Sequence, residues 1–280
     1  MSAHTEKLPR ETAGLPAATT TREVVVIGGG QAGLAIGYFL AQQGCRFAIL
    51  EAGAEPAAAW QSRWDSLKLF TPVRYDSLPG LAFPGDPDSY PGRDDVVAYL
   101  TEYAQRLELP VEFNSRVRSV RARDGGGFLV ELDDRTYGAD HVVVATGPFQ
   151  VPFTPAIAAD LSAGVVQLHS SDYRSPAGLP TGAVLVVGGG NTGFQIAAEL
   201  AQSHQVHLAV GTRQTPLPQR VLGRDLFRYL EATGLMRKTT TSRIGERVRD
   251  KETLIGSSPR SARSRASGCC PARPPPTVRP

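Results

Sequence analysis

The chain has 280 residues, of which 41% are apolar and 20% charged, and a formal net charge of +3. That length suffices for two ordinary domains, and so small a charge points neither to nucleic acid nor to a membrane surface as partner. No apolar run reaches 18 residues, so no membrane span is expected.

From the N-terminus, Met1–Thr21 has neither the basic start nor the apolar centre of a secretory signal, and is expected to be a disordered leader. Three cysteines, Cys45, Cys269 and Cys270, are too few for a disulfide framework, and none forms a C-x-x-C pair. A cytoplasmic location is therefore expected. Val24–Ile27 is a short apolar run followed by a glycine-rich turn, a helical stretch and a second apolar run ending at Glu51. Trp60 to Pro91 reads as loop, because Pro72, Pro79, Pro84, Pro87 and Pro91 interrupt any long helix.

A helix is predicted over Asp94–Leu107, with Val97, Leu100, Tyr103 and Ala104 at helical spacing. Val117–Arg123 and Phe128–Asp133 flank Asp124–Gly127, a hairpin signal, and His141–Gly147 is a buried strand ending in a turn. A second strand–turn–helix–strand run begins at Val184. Residues 259–280 hold six prolines, five arginines and no acid, and are expected to be disordered. The expected organisation is a first domain over 22–152 with an antiparallel insertion, a second over 153–258, and a tail over 259–280.

The second run repeats the first. Val24 onward and Val184 onward align without a gap at a constant offset of 160 residues. Gly28, Gly30 and Gly33 form a G-x-G-x-x-G motif, and so do Gly188, Gly190 and Gly193. The first glycine of such a motif permits a tight turn, the second lets backbone approach a pyrophosphate, and the third lets helix pack on strand. The helix N-terminus then offers free N–H groups to phosphate oxygens. Gln31 and Ala32 in the first motif, and Asn191 and Thr192 in the second, stand where those N–H groups begin. The fold class predicted is α/β with two Rossmann-like dinucleotide-binding domains, each strand buried on both faces.

The repeats differ where a nucleotide is chosen. Glu51 can accept hydrogen bonds from ribose hydroxyls, which suits FAD or NAD. The gapless alignment places Gly211 opposite it, followed by Thr212 and Arg213; without the acid a 2′-phosphate is not repelled, and Arg213 can pair with it. The first site is read as FAD and the second as NADPH. The plainer reading of Arg213 is a solvated surface arginine. His4, His141, His169, His204 and His207 show no metal-ligand spacing, so no metal is expected.

The sequence resembles the flavin-containing monooxygenases, in the branch that includes plant YUCCA-type enzymes and bacterial monooxygenase-like flavoproteins. The likeness is carried by Gly28–Gly33 with Glu51, by Trp60–Pro72, by Tyr90–Arg93 leading to Tyr99–Tyr103, and by Ala145-Thr146-Gly147. His169–Tyr173 before the second glycine motif narrows it. That family carries an F-x-G-x-x-x-H-x-x-x-Y/W motif, whose second half His169 and Tyr173 match. The first half departs: Ser162 stands where an aromatic is expected, and Gly164 lies one residue too far from His169.

The resemblance implies that Trp60 and Arg63 lie near the flavin, that Ala145–Gly147 touches it, and that His169 helps couple NADP binding to oxygenation. A core tryptophan, a surface ion pair and a structural histidine are the respective plain alternatives. It further implies reduction of FAD by NADPH, addition of O₂ to give a C4a-(hydro)peroxyflavin, and oxygenation of a small molecule, with no side-chain nucleophile required. A reductase acting on a quinone or protein partner is the alternative. Family members continue with a strand and glycine turn that close the flavin site. The Arg/Pro tail here suggests a frameshift or truncation near Arg260, which leaves an inactive remnant as a third reading.

Overall fold

The structure is a computed structural model that describes residues 19–211, 217–239, 241–242, 245–246, 255 and 269–271. In chain order its elements begin with β1 (Thr19–Ile27), α1 (Gln31–Gln42), β2 (Phe47–Leu50), α2 (Ala58–Gln61) and α3 (Arg93–Arg106). Strands β3 (Val111–Glu112), β4 (Ser119–Ala122), β5 (Phe128–Glu131), β6 (Thr136–Val144) and β7 (Ala183–Val187) follow. Then come α4 (Asn191–Leu200), β8 (Gln205–Val210), β9 (Arg220–Val221), β10 (Arg224–Asp225), α5 (Leu226–Ala232) and β11 (Cys269–Pro271). The contacts divide the chain into two compact units. One comprises the residues through Ala59 with Leu78–Leu81 and Val97–Val151; the other comprises Trp60–Ser77, Ala82–Val96 and the chain from Pro152 onward.

The first unit is a six-stranded sheet in the order β3-β2-β1-β6-β5-β4. The chain steps outward from β1 to β2 and β3, then returns to place β6 on the other side of β1, so the winding reverses beside β1. The expected hairpin is the antiparallel insertion: β4 pairs with β5 and β5 with β6. Val25, Ile27, Ala48 and Leu50 are buried with Val130 and Tyr137, which explains the unbroken apolar runs of β1 and β2. Helix α1 lies close over β2, and at Gly37 a Cβ would stand 2.8 Å from Ile49 Cδ1. Tyr99 and Tyr103 of α3 are buried, and their hydroxyls donate to the Leu81 and Pro79 carbonyls at 2.8 and 2.5 Å.

One end of this unit corrects the expected leader. Thr19–Thr21 pair with Thr136–Gly138, so the last three residues of that stretch are strand. The long β6 offers their backbone a ladder that composition does not reveal. Residues 1–18 lie outside the described residues.

In the second unit β8 is central, with β7 and β11 parallel on either side. Helix α4 packs on this sheet through Phe194, Ile196, Ala197 and Leu200, which meet Val206 and Leu208. The expectation of strands buried on both faces fails at β7, where Leu185 is 60% and Val187 70% exposed. Among the described residues a helix covers only the other face. The tail expectation is corrected at Cys269–Pro271, which pairs with Leu208–Val210. An open sheet edge presents unpaired backbone groups to any extended segment, and a proline is tolerated there because an edge strand needs fewer donors. The other residues of 259–280 lie outside the described residues.

The expected contiguous domain 22–152 is interrupted. Trp60–Ser77 and Ala82–Val96 belong to the second unit, where Trp64 and Leu67 share a core with Tyr173, Phe194 and Leu200. This irregular stretch is held by backbone and side-chain bonds in place of regular elements. Leu69 and Val73 donate to Pro91 and Ser89 at 2.9 and 3.0 Å, and Gln195 exchanges bonds with the Lys68 backbone at 2.9 and 3.2 Å. Phe70 stacks on Phe227 of α5 at 6.2 Å. Among the described residues, no helix is long and apolar enough to cross a membrane.

Candidate functional site

The first glycine motif sits at the carboxyl end of β1, where the winding reverses. Gly28 has φ +108°, and a Cβ there would lie 2.5 Å from the Ala145 carbonyl oxygen; only glycine lets these backbones meet. At Gly33 a Cβ would overlap the Gly28 carbonyl, whereas at Gly30 it would meet nothing within 4 Å. The second glycine is thus the open one, as close approach of a pyrophosphate requires. Gly30 caps α1 without a side-chain bond, and no acid stands in the first turn, so no carboxylate of that turn offsets the positive end of the helix.

Glu51 follows β2 beside this turn. Its Oε2 accepts the Gly29 N–H at 2.6 Å and its Oε1 accepts the Gly53 N–H at 2.8 Å. Each carboxylate oxygen keeps a further acceptor site, so the two bonds hold the group in place and leave it able to receive hydroxyls. Ala145 donates to Ile27 at 2.8 Å, and Gly147 turns the chain at φ +73°. Gln150 steadies that turn by donating to the Thr146 carbonyl at 2.6 Å. The structure therefore brings together Gly28, Gly30, Gln31, Ala32, Gly33, Glu51 and Ala145, with Thr146 and Gly147 continuing from β6.

The second motif repeats the geometry on β7 and α4. Gly188 has φ +113°, a Cβ at Gly193 would overlap the Gly188 carbonyl, and Gly190 faces open space. Gly190 caps α4 without a side-chain bond. Asn191 Oδ1 at the helix start is buried and has no hydrogen-bond partner among the described residues, which leaves it open to a donor-bearing ligand. Both cradles thus fit a pyrophosphate-containing nucleotide by shape, with open space at Gly30 and Gly190.

Sheet register corrects the comparison of the two strand ends. In the first unit Val24 pairs with Phe47 and Ile27 with Leu50; in the second Val184 pairs with Val206 and Val187 with Ala209. Gly28 donates to the Leu50 carbonyl at 2.8 Å, and Gly188 to that of Ala209 at 2.9 Å. The offset is 160 through the turn and 159 along the second strand, because one residue is missing between helix and strand in the second repeat. Val210, not Gly211, therefore occupies the place of Glu51. A one-residue slip moves a side chain to the opposite face of a strand, so the gapless alignment compared the wrong positions. The place still lacks an acid. Thr212 and Arg213 lie outside the described residues.

The remaining nominated residues belong to the second unit. Trp60 is half-buried and packs against the core of this unit. The Arg63 carbonyl accepts from Arg93 at 3.0 Å, which ties down its backbone. His169 is half-buried, and its Nδ1 meets the Ser171 backbone N–H at 3.1 Å and the Ser171 hydroxyl at 2.9 Å. Tyr173 is buried and its hydroxyl donates to Glu199 of α4 at 2.7 Å; burial first, and then Glu199, hold its phenol above the ordinary range. The next residue, Arg174, accepts the Asp65 N–H at 2.9 Å on its carbonyl. Tyr173 and Arg174 thus link α4 to the Trp60–Leu67 segment. Sequence reasoning missed Gly29 and Gly53 as holders of Glu51, and Val210. The only signal for these was the strand register. Among the described residues, no three His, Cys, Asp or Glu side chains gather as metal ligands.

Two glycine cradles, each at the end of a strand with parallel neighbours in its own sheet, define a two-dinucleotide oxidoreductase fold. Residues 25–222 match the family model described as pyridine nucleotide-disulphide oxidoreductase. An uncharacterized CzcO-like oxidoreductase of Geobacillus kaustophilus is 44% identical over 224 residues, covering 80% of this chain and 64% of that protein. The probable indole-3-pyruvate monooxygenase YUCCA1 of Arabidopsis thaliana is 34% identical, over 72% of this chain and 50% of its own length. A flavin-containing monooxygenase from Stenotrophomonas maltophilia superposes with a TM-score of 0.73 at 33% identity, covering 91% of this chain and 71% of that one. The chain belongs to the flavin-monooxygenase-like family of FAD- and NADP-dependent oxidoreductases. It spans just under two thirds of the length of the CzcO-type relatives, at 64% and 66%, and half that of the plant ones.

Proposed function

We propose that the chain binds FAD at the Gly28–Gly33 cradle and NADPH at the Gly188–Gly193 cradle, and works as a flavin monooxygenase on a small molecule with O₂. One observation carries this reading: two open glycine cradles of the same shape, one beside a fixed carboxylate and one beside Val210. The flavin, when bound, supplies the redox chemistry that side chains lack, taking a hydride and activating dioxygen.

The chain's own residues bind and orient. Glu51, held by Gly29 and Gly53, accepts ribose hydroxyls. The N-terminal ends of α1 and α4, each begun by a glycine, donate to pyrophosphate oxygens. Asn191 offers its unpaired Oδ1 to a donor on the second nucleotide. His169, held at its Nδ1 by the Ser171 N–H, keeps its Nε2 side for a cofactor contact. Val210 leaves a 2′-phosphate unopposed, and the Arg213 pairing expected above is part of the same proposal. So is the family's oxygenation route.

The test is spectroscopic. The purified chain should take up one equivalent of FAD, bleach faster with NADPH than with NADH under argon, and regain colour as O₂ is consumed. A chain that stays colourless with added FAD, or whose flavin neither nucleotide bleaches, overturns the proposal. Flavin that reoxidises only when a quinone is supplied would select the reductase alternative.

A further inference from the structure

The second unit carries a charged hollow that includes no residue of either glycine cradle. It is a cavity of about 280 Å³ lined by Asp88, Arg220, Gly223, Arg224, Asp225 and Arg228. Its frame is local and fixed. Strands β9 and β10 pair Arg220 with Asp225 and Val221 with Arg224 across the two-residue turn Leu222-Gly223. Both turn residues have positive φ, 49° and 78°, as a tight hairpin requires. Arg228 follows in the first turn of α5.

Both acids of the lining are already engaged. Asp225 is buried and accepts from the Phe227 N–H at 2.8 Å, Tyr90 hydroxyl at 2.5 Å and Gln219 at 2.8 Å. Asp88 accepts from Arg74 at 2.8 Å and from Arg228 at 3.1 and 3.2 Å. Arg220 lies over the Tyr90 ring, 5.8 Å from its centre. Arg224 is exposed and makes no ion pair with a described residue. Three guanidiniums line the hollow and Arg74 adds a fourth cation on Asp88, against two carboxylates whose acceptor sites are largely taken. The hollow is left with an excess of unanswered donors.

We propose that this hollow binds the dianionic oxyanion group of a small molecule, a phosphate or a dicarboxylate, through Arg220, Arg224 and Arg228. Guanidinium forks present paired N–H donors that match such oxygens. The volume lies below the roughly 300–1,000 Å³ usual for drug-sized ligands, which suits a small anion or head group and excludes a whole dinucleotide. The ligand gives Arg224 the counter-charge that no described residue supplies.

Calorimetric titration of the full chain tests this, with inorganic phosphate and with succinate as separate probes, each against chloride at matched ionic strength. One probe or both should bind saturably at one site, equally well with NADP⁺ present. Arg224→Ala should weaken that binding by about tenfold, the scale of one charge-assisted contact, and Arg224→Glu should abolish it. Because Arg224 is exposed, both variants should unfold at the wild-type temperature when no anion is added, and Arg220→Ala provides a second weakening variant. Binding by neither probe, binding unchanged in Arg224→Glu, or displacement by NADP⁺ each overturns the proposal; the last would make the hollow part of the nucleotide site. The more tightly bound probe identifies the class of ligand.

Discussion

Val25 and Leu185 hold the same place in the two repeats, as do Ile27 and Val187. Val25 is fully buried and Ile27 is 8% exposed, while Leu185 and Val187 are 60% and 70% exposed. The glycine turns that follow are nevertheless alike, with φ +108° at Gly28 and +113° at Gly188. The turn geometry is local, set by glycines that need neither neighbour nor cover. The burial of the strand is not local, because it depends on what is packed against each face of the sheet. The first strand lies inside a six-stranded sheet, between β2 and β6, whereas β7 stands at the edge of a three-stranded one.

The comparison is sharpened most strongly by truncating matched positions. Ile27→Ala should cost about 2–5 kcal/mol of stability, the range for deleting a buried aliphatic side chain. Val187→Ala should stay within about 0.5 kcal/mol, as for an exposed site. Urea unfolding followed by circular dichroism reads both, and a Val187→Ala loss as large as that at Ile27 would mean that this face is covered in solution.

Exchanging the strand-end residues asks whether the repeats differ in the nucleotide they accept. Val210→Glu should lower kcat/KM for NADPH relative to NADH by about tenfold or more, equivalent to about 1.4 kcal/mol, since a carboxylate would then face the 2′-phosphate. Initial rates of flavin reduction with each nucleotide measure it. Were Val210→Glu silent while Gly211→Glu shifted the preference, the offset of 160 would be the right one and the register assigned here would be wrong.

A smaller effect is expected in the irregular part of the second unit, which has no counterpart in the first. Burial pushes the Asp76 carboxyl from 3.8 up to about 6, against the lowering effect of its bond from Thr71. Its Oδ2 is buried without a partner. The folded chain binds this proton more tightly than the unfolded one, so the contribution is full below about pH 4 and is lost as pH rises through about 6. Asp76→Asn should therefore flatten the decline between those values and raise the melting temperature at pH 7 by roughly 2–4 °C. This corresponds to about 1 kcal/mol once solvent screening of a half-exposed group is discounted. A melting profile across pH 4 to 7 that keeps its slope in the variant would assign the titration to another group.

Much of both cradles was legible from residues alone. Gly28, Gly30 and Gly33, and their counterparts at Gly188, Gly190 and Gly193, could be assigned roles because each needs only the backbone next to it. The Asp124–Gly127 hairpin was legible for the same reason. The gapless repeat misled at one point: a single residue lost between α4 and β8 is invisible when two glycine-rich helices align well, and it moved the partner of Glu51 from Gly211 to Val210. The proline-rich stretch after Trp60 read as a loop of the first domain, yet Trp64 and Leu67 are buried under α4 with Tyr173. No periodicity marks such a segment, because it is held by single bonds, among them Lys68 to Gln195.

The sequence by itself determined the α/β class and the two glycine turns, because glycine conformations and the helix starts that follow them act over one or two turns of chain. Only the tertiary structure decided which strands are buried, which residue stands opposite Glu51, and where the segment after Trp60 belongs. Those outcomes rest on pairing and packing between residues far apart in the chain, such as Lys68 and Gln195, 127 positions apart, and Tyr75 and Glu231, 156 apart. The closure of such contacts leaves no pattern in the chain that makes them.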